Sequence, residues 1–287
     1  MKKILITGAN SYVGTSFEKW LSQWPDKYHV DTIDMIDGTW REKSLVGYDV
    51  VFHVAGIAHV SADLSKKDMY YKINRDLAIE TAEKAKSDGV KQFIFMSSMI
   101  IYGNHECVSL NTPPCPRDFY GDSKLQAEIG IKQLVNENFK IVILRPPMIY
   151  GKNSRGNYRL LSKLAKISPL FAKYDNIRSM LYIGNLCPFV RLMIDNEESG
   201  VFFPQNTEYV STYKLVSTIA ATVDHKIWIT SLLVPFIILG KFIPGKCGHT
   251  FKKVFGNSYY EMSMSEYKEQ YRVFSFKESI AKSEGII

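Results

Sequence analysis

The sequence predicts an α/β fold built on a doubly wound parallel sheet, with a smaller C-terminal lobe. Three features carry that expectation. Short apolar, β-branched runs alternate with longer amphipathic stretches through the first half, the pattern of βαβ units laying down a parallel sheet. The segment Thr7-Gly8-Ala9-Asn10-Ser11-Tyr12-Val13-Gly14 stands between the first run and the first amphipathic stretch, where a tight turn lets helix N–H groups meet a diphosphate. Asp34 closes the second run about 20 residues beyond Gly14, where a carboxylate can accept from a ribose 2′-hydroxyl. Together these define a Rossmann arrangement.

In chain order, strands are expected near 3–7, 30–33, 49–53, 92–97 and 140–145, and helices near 13–24, 69–87 and 120–136. The connection 34–48 carries Gly38 and Gly47 and barely reaches the length of a crossover, about a dozen residues. It is expected to be short or irregular. After Gly151 the regularity fades, leaving strand-like pieces near 180–183 and 201–203. The domain reading is therefore 1–150 as a dinucleotide-binding Rossmann domain and 151–287 as mainly a substrate-binding lobe. Segments near 180–203 are expected to return to the first sheet, and the cleft between the lobes is the expected site.

The composition sits at the globular average, with 46% hydrophobic and 23% charged residues, which excludes disordered and collagen-like classes. The net charge is +7, and no Lys/Arg run exceeds two residues. That balance suits a phosphate-bearing small molecule better than nucleic acid, whose binders concentrate charge on one face. Cys107, Cys115, Cys187 and Cys247 show neither metal-ligand spacing nor a disulfide framework, so no metal is expected and a reducing, cytoplasmic compartment is the simpler reading. The apolar run at the N-terminus breaks at Gly8, well short of a signal peptide. The stretch 227–240 is uncharged and contains Pro235, but it is too short for a transmembrane span of about 20 residues. A buried helix or pocket wall is expected there, with a membrane-surface contact as the alternative.

Two further constellations carry chemistry. Tyr120 and Lys124 stand four apart at the start of an expected helix, so phenol and ammonium share a face and meet one ligand. A neighbouring cation is expected to lower the phenol from its usual pKa of about 10. Their partner is Phe93-Ile94-Phe95-Met96-Ser97-Ser98, an apolar strand ending in two serines at the carboxyl edge of the sheet. Ligands bind beyond strand C-termini, so Ser97 and Ser98 are expected to face the cofactor cleft. Asp34 would repel a 2′-phosphate, which favours NAD over NADP.

These residues resemble the extended short-chain dehydrogenase/reductases, the NAD-dependent epimerase/dehydratase family, with the closest look to the CapN-like enzymes of capsular and surface polysaccharide synthesis. The likeness runs from Thr7-Gly8 through His53-Val54-Ala55-Gly56, Asn74, Ser98-x-x-x-Tyr102-Gly103, Tyr120-x-x-x-Lys124 and Arg145-Pro146-Pro147-Met148-Ile149-Tyr150-Gly151 to Arg178-Ser179-Met180-Leu181-Tyr182-Ile183, with Phe255-Gly256-Asn257 beyond. The resemblance implies a catalytic triad of Ser98, Tyr120 and Lys124. It implies a cofactor site of Gly8, Asn10, Ser11, Tyr12, Val13, Gly14, Asp34, Val54, Ala55, Gly56, Asn74, Ser97, Tyr120, Lys124 and Pro147. Substrate contacts fall to Ser98, Tyr120 and Arg178, whose planar fork suits phosphate oxygens.

The implied activity is 4-epimerisation of a nucleotide sugar, usually UDP-linked, such as a UDP-hexose or UDP-N-acetylhexosamine, through a 4-keto sugar. An NAD(P)H-dependent 4-ketoreductase is the alternative, and a non-catalytic dinucleotide binder is a third reading. A 4,6-dehydratase is disfavoured, because the Asp-Glu pair of that branch is replaced by Met99 and Ile100, which cannot transfer protons. A homodimer through the helix after Tyr120 is also implied. Two departures stand out: Ser11 replaces a glycine, so its side chain is expected to crowd the diphosphate, and the stretch 151–178 is trimmed.

Overall fold

The computed structural model describes residues 1–58 and 64–286. Six parallel strands form the main sheet: β1 (Lys2–Thr7), β2 (Tyr28–Ile33), β3 (Val50–His53), β4 (Gln92–Met96), β5 (Lys140–Leu144) and β6 (Gly200–Phe202). Their order is β2-β1-β3-β4-β5-β6, so the winding reverses between β1 and β3. At such a switch point a crevice opens beyond the strand C-termini.

Alternation along each strand feeds two cores. Ile4 and Ile6 of β1, Phe52 of β3 and Val142 and Leu144 of β5 face one side, where they meet Phe17 and Leu21 of α1 (Tyr12–Leu21) and Leu186, Phe189 and Val190 of α5 (Ile183–Asp195). Leu5, Val51, Phe93, Phe95 and Ile143 face the other. There they meet Ala78, Ala82 and Ala85 of α2 (Leu77–Ser87) and Ala127 and Ile131 of α3 (Phe119–Lys132). The alanine row lets α2 lie close to the sheet.

The helix expected over 69–87 is broken into Lys67–Tyr70, a π-helical turn at Tyr71–Asp76, and α2. The connection after β2 is irregular, holding only a 3₁₀ turn at Thr39–Arg41, and it is anchored by buried Trp40 and Leu45. In the second half, α4 (Asn157–Ile167) and α6 (Thr212–Thr222) precede the helical pair α7 (Val234–Phe242) and α8 (Lys246–Phe255), and α9 (Phe276–Glu284) ends the chain. Gly200–Phe202 pairs with β5. Met180–Tyr182, by contrast, does not join the main sheet and pairs with the short strand Met148–Tyr150. Pairing of Cys107–Val108 with Tyr259–Tyr260 ties the distal segment back beside the C-terminal end of β4.

One buried cluster fixes α3 against the sheet. Glu128 of α3 is fully buried and holds Arg145 through two groups, with Arg145 Nη2 to Oε2 at 2.5 Å and Nε to Oε1 at 3.1 Å. The Ser97 hydroxyl donates to the same carboxylate, and Arg145 Nη1 donates to the Tyr102 hydroxyl at 2.6 Å. Removing one partner of a buried pair leaves an uncompensated charge. Glu128→Ala is therefore expected to lower stability by about 3–5 kcal/mol, read from urea unfolding followed by circular dichroism. Lys132→Ala, which removes only a peripheral contact to Glu128 at 4.0 Å, is expected to cost less than about 1 kcal/mol.

Candidate active site

A cleft of about 2410 Å³ opens over the C-terminal ends of the main sheet, between the sheet and the α7–α8 pair. Its floor begins with the turn after β1. Gly8 has φ +81°, and a Cβ there would stand 2.9 Å from Ala55 Cα, so only glycine allows the β1 and β3 ends to approach. Asn10 carries the second left-handed conformation, φ 64°, which asparagine tolerates.

Ser11 departs from what the sequence suggests. Its φ is −70°, and its hydroxyl accepts from Gly14 N at 3.1 Å as the N-cap of α1. The side chain is thus engaged in capping, and the position has no conformational need for glycine. Gly14 lies beneath the turn: a Cβ there would meet Ser11 Oγ at 2.6 Å and Ile6 at 3.1 Å. It shapes the turn without lining the cleft. Helix geometry leaves the Tyr12 and Val13 amides without intrahelical acceptors, available to an anion.

Asp34 is exposed at the end of β2 and lines the cleft, its carboxylate accepting from Ile36 N at 2.9 Å. The nearby cation Arg41 is held by the Glu80 carboxylate, with Nη2 to Oε2 at 2.6 Å, so it is already neutralised. Val54, Ala55 and Gly56 form the next wall. Asn74, expected to touch the cofactor, does not line the cleft. It is fully buried behind that wall, its amide exchanging hydrogen bonds with Ile57 N (2.9 Å) and Ile57 O (3.0 Å) and reaching Ser123 at 3.3 Å. Its hydrogen-bonding capacity is spent on fixing the 54–58 segment.

The strand end at Met96 presents Ser97 and Ser98 differently. Ser97 lines the cleft but is largely buried, with its hydroxyl committed to the Glu128 carboxylate. Ser98 faces the cleft beside Tyr120, and its hydroxyl accepts from Ile100 N at 3.3 Å. Tyr120 lies in the first turn of α3, capped by Asp118, whose side chain accepts from Gly121 N at 2.8 Å. One turn later Lys124 donates to Met96 O at 2.9 Å and sits 4.7 Å over the Phe95 ring.

Burial dominates both groups. It pushes the Tyr120 phenol up to about 12, with Ser98 pulling it down and Tyr70 and Asp118 raising it further. It pushes the Lys124 ammonium down to about 8, opposed by Glu128. The expectation that Lys124 lowers the phenol is therefore not met in this arrangement. Desolvation outweighs it, and the ammonium is drawn to the Met96 carbonyl.

The opposite wall is cationic. Arg178 Nη1 donates to Lys253 O at 2.8 Å and Gly256 O at 3.3 Å, caught at the end of α8, and burial lowers its pKa. Arg155, Lys241, Lys252 and Lys253 line the same side, and Pro147 completes the cleft near the centre. The sequence reading missed these four cations. For the three lysines the signal available was the run from Lys226 to Tyr260, which contains no Asp or Glu; Arg155 lies outside it.

The tight turn that Gly8 allows against Ala55, the free helix amides and Asp34 fit a dinucleotide carrying an unphosphorylated ribose. The chain matches the NAD dependent epimerase/dehydratase family over residues 4–203, and it belongs to that family. A UDP-glucose 4-epimerase of Vibrio cholerae is 30% identical, over 90% of this chain and 83% of that one. An N-acetyl-alpha-D-glucosaminyl-diphospho-ditrans,octacis-undecaprenol 4-epimerase of Escherichia coli O157:H7 is 29% identical, over 89% of this chain and 82% of that one. Among solved structures, a dTDP-4-dehydrorhamnose reductase of Clostridium acetobutylicum superposes with a TM-score of 0.74 at 21% identity, covering 99% of both chains; this likeness shows the fold.

His53, at the end of β3, sits directly under the switch point. It is fully buried, stacked against Phe93 and Phe95, with Nδ1 2.9 Å from Thr7 Oγ1. Its Nε2 has no hydrogen-bond partner among the described residues. Burial, with Lys124 adding to it, pushes its pKa down to about 3. Because the folded value lies below the unfolded one, the unfolded chain binds the extra proton between these pKa values, so stability is lost as pH falls below about 6.5. A loss of about 3 kcal/mol between pH 6.5 and 4 is expected from this group. In urea titrations across that range, His53→Asn is expected to show the shallower pH slope.

Proposed function

We propose that the cleft catalyses 4-epimerisation of a sugar diphosphate through a 4-keto sugar, with Ser98, Tyr120 and Lys124 at the reacting carbon. The observation that carries this is the convergence of Ser98, Tyr120 and, one turn on, Lys124 in one cleft with the dinucleotide turn. Gly8, Asn10, Ser11, Tyr12, Val13, Asp34, Val54, Ala55, Gly56 and Pro147 would hold NAD along the β1 and β3 ends. When bound, NAD supplies a hydride acceptor and donor for C4 of the sugar.

The chain's own residues then have separate tasks. Tyr120 removes the proton from the 4-hydroxyl and returns it, and Ser98 holds the reacting oxygen. Lys124, one turn on, is the cation nearest in the helix to the phenol, and the proton-transfer step would draw on its charge once substrate and NAD are bound. Arg178, with Lys252 and Lys253 beside it, takes the substrate diphosphate. A diphosphate next to the sugar is common to the names of both relatives, one UDP-linked and one linked to a polyprenol. We take UDP-hexoses as the first substrates to test, in a role supplying surface polysaccharide precursors.

In the same reading, residues 1–150 bind NAD and 151–287 mainly bind substrate, in a cytoplasmic enzyme. Ile129 on α3 and Val135 just beyond it are each about half exposed, which supports pairing of that face in a homodimer. Among the described residues no helix is long and apolar enough to cross a membrane.

Tyr120→Phe is expected to lower kcat by about 10²–10⁴-fold while NAD binding, followed by protein fluorescence, is retained. Turnover is read by proton NMR of UDP-glucose and UDP-N-acetylglucosamine, in which the axial and equatorial H4 signals differ. Net consumption of NADH on a 4-keto sugar, with no epimer formed from either UDP-sugar, would establish the ketoreductase instead.

A further inference from the structure

We infer that α7 is an interfacial helix that docks the enzyme on an anionic phospholipid surface, holding the mouth of the cleft at headgroup level where a sugar carried on a lipid diphosphate is within reach. The substrate half of this inference rests on the sugar-diphosphate reading above. The docking half does not.

Residues 227–240 are not simply a buried helix or pocket wall. Ile237 and Gly240 turn inward, and Gly240 packs so closely that a Cβ would lie 2.8 Å from the Phe251 ring of α8. The outward face is bare: Phe236 is 67% exposed, Leu239 66% and Phe242 80%. The bare strip extends past the helix. Leu232 and Ile243 are exposed at its two ends, and Trp228, 61% exposed, is the register partner of exposed Leu170 on the neighbouring short strand. A soluble monomer rarely leaves so many large side chains together in water without a partner for them.

The charge around the strip selects that partner. From Lys226 to Tyr260 there is no acidic residue, while Lys226, Lys252 and Lys253 are exposed. An apolar strip on a segment that carries exposed lysines and no carboxylate matches the plane between headgroups and acyl chains of an anionic bilayer. A second copy docked through the same face would bring lysines against lysines, which opposes self-association there. With only nine residues and Pro235 near its start, α7 fits a helix lying in the interface plane.

The same helix also bounds the active site. Ile238, Lys241, Phe242 and Ile243 line the cleft, and Lys241 is held toward it by the Tyr174 hydroxyl at 2.7 Å. Phe236 and Leu239 do not line it. One face of α7 therefore meets the substrate cleft while the adjoining face would meet lipid.

The test uses the full chain and vesicles of phosphatidylglycerol and phosphatidylcholine in sedimentation assays. Binding to the phosphatidylglycerol vesicles, weaker at high salt and at least tenfold weaker in Phe236→Ser/Leu239→Ser, supports the docking. No binding even at low salt, or equal binding by the double variant, overturns it, as does a dimer in sedimentation velocity that the same variant dissolves. For the substrate half, the double variant should lose turnover of a polyprenyl-diphosphate-linked N-acetylhexosamine in vesicles by at least tenfold and keep its turnover of UDP-sugar in solution. Equal turnover of the lipid-linked sugar by both proteins overturns that half. Vesicle binding without 4-epimerisation of any donor would sink the catalytic reading and leave the docking intact.

Discussion

The geometry of the site depends on the pairing of Glu128 with Arg145. The carboxylate is fully buried on α3, the guanidinium caps the end of β5, and the Ser97 hydroxyl brings in the end of β4. Three elements that carry the proposed chemistry are thereby fixed at one point. Tyr120 and Lys124 lie about two turns and one turn before Glu128 on the same helix, and Ser98 follows Ser97. A buried ion pair is not in general a source of net stability, because desolvating two charges offsets their attraction. Its consequence here is positional: α3 cannot rotate or slide without stranding a charge, so the phenol and ammonium keep their register against the serine.

How much of this was legible in the sequence follows from the range of each interaction. The turn at Gly8 was legible because a left-handed conformation and a close approach leave a glycine in the local pattern. Asp34 and the Tyr120–Lys124 spacing were legible for the same reason, since strand ends and helix turns are local. Ser11 was misjudged because a serine in a glycine-rich turn reads equally as an obstruction or as a cap, and only the backbone at φ −70° decides. The side-chain partners of Asn74 and Ser97 were illegible for a different reason. Both lie next to the cleft in sequence terms, but their side chains turn to partners on distant elements, Ile57 and Glu128, and nothing local encodes that choice.

The fold shows the same division. The alternating strands were readable, and so was the irregular passage after β2, where too few residues remain for a crossover helix. The destination of Met180–Tyr182 was not, because a three-residue apolar strand carries no information about which neighbour it will pair with. The π-helical turn at Tyr71–Asp76 was equally invisible. Its extra residue per turn goes with a buried Asn74 aimed at Ile57, a tertiary requirement overriding a regular helical pattern.

Charge is distributed unequally between the two walls, and this orients whatever occupies the cleft. On the β2 side the wall carries Asp34, Asp37, Asp76 and Glu80, with Arg41 held by Glu80 and with Lys66 and Lys72 also lining it. Nearest the end of β2, Asp34 and Asp37 disfavour extra phosphate. The facing wall carries Arg155, Arg178, Lys241, Lys252 and Lys253, and its own stretch from Lys226 to Tyr260 supplies no carboxylate to neutralise them. A diphosphate met by the α1 amides needs no side-chain cation, because helix N-termini supply the donors. In the reading proposed above, the cations of the facing wall are left for the sugar diphosphate approaching from the α7–α8 side. Cofactor and substrate would then meet different kinds of counter-charge, backbone dipoles for one and side-chain cations for the other, and would converge where Ser98, Tyr120 and Lys124 stand.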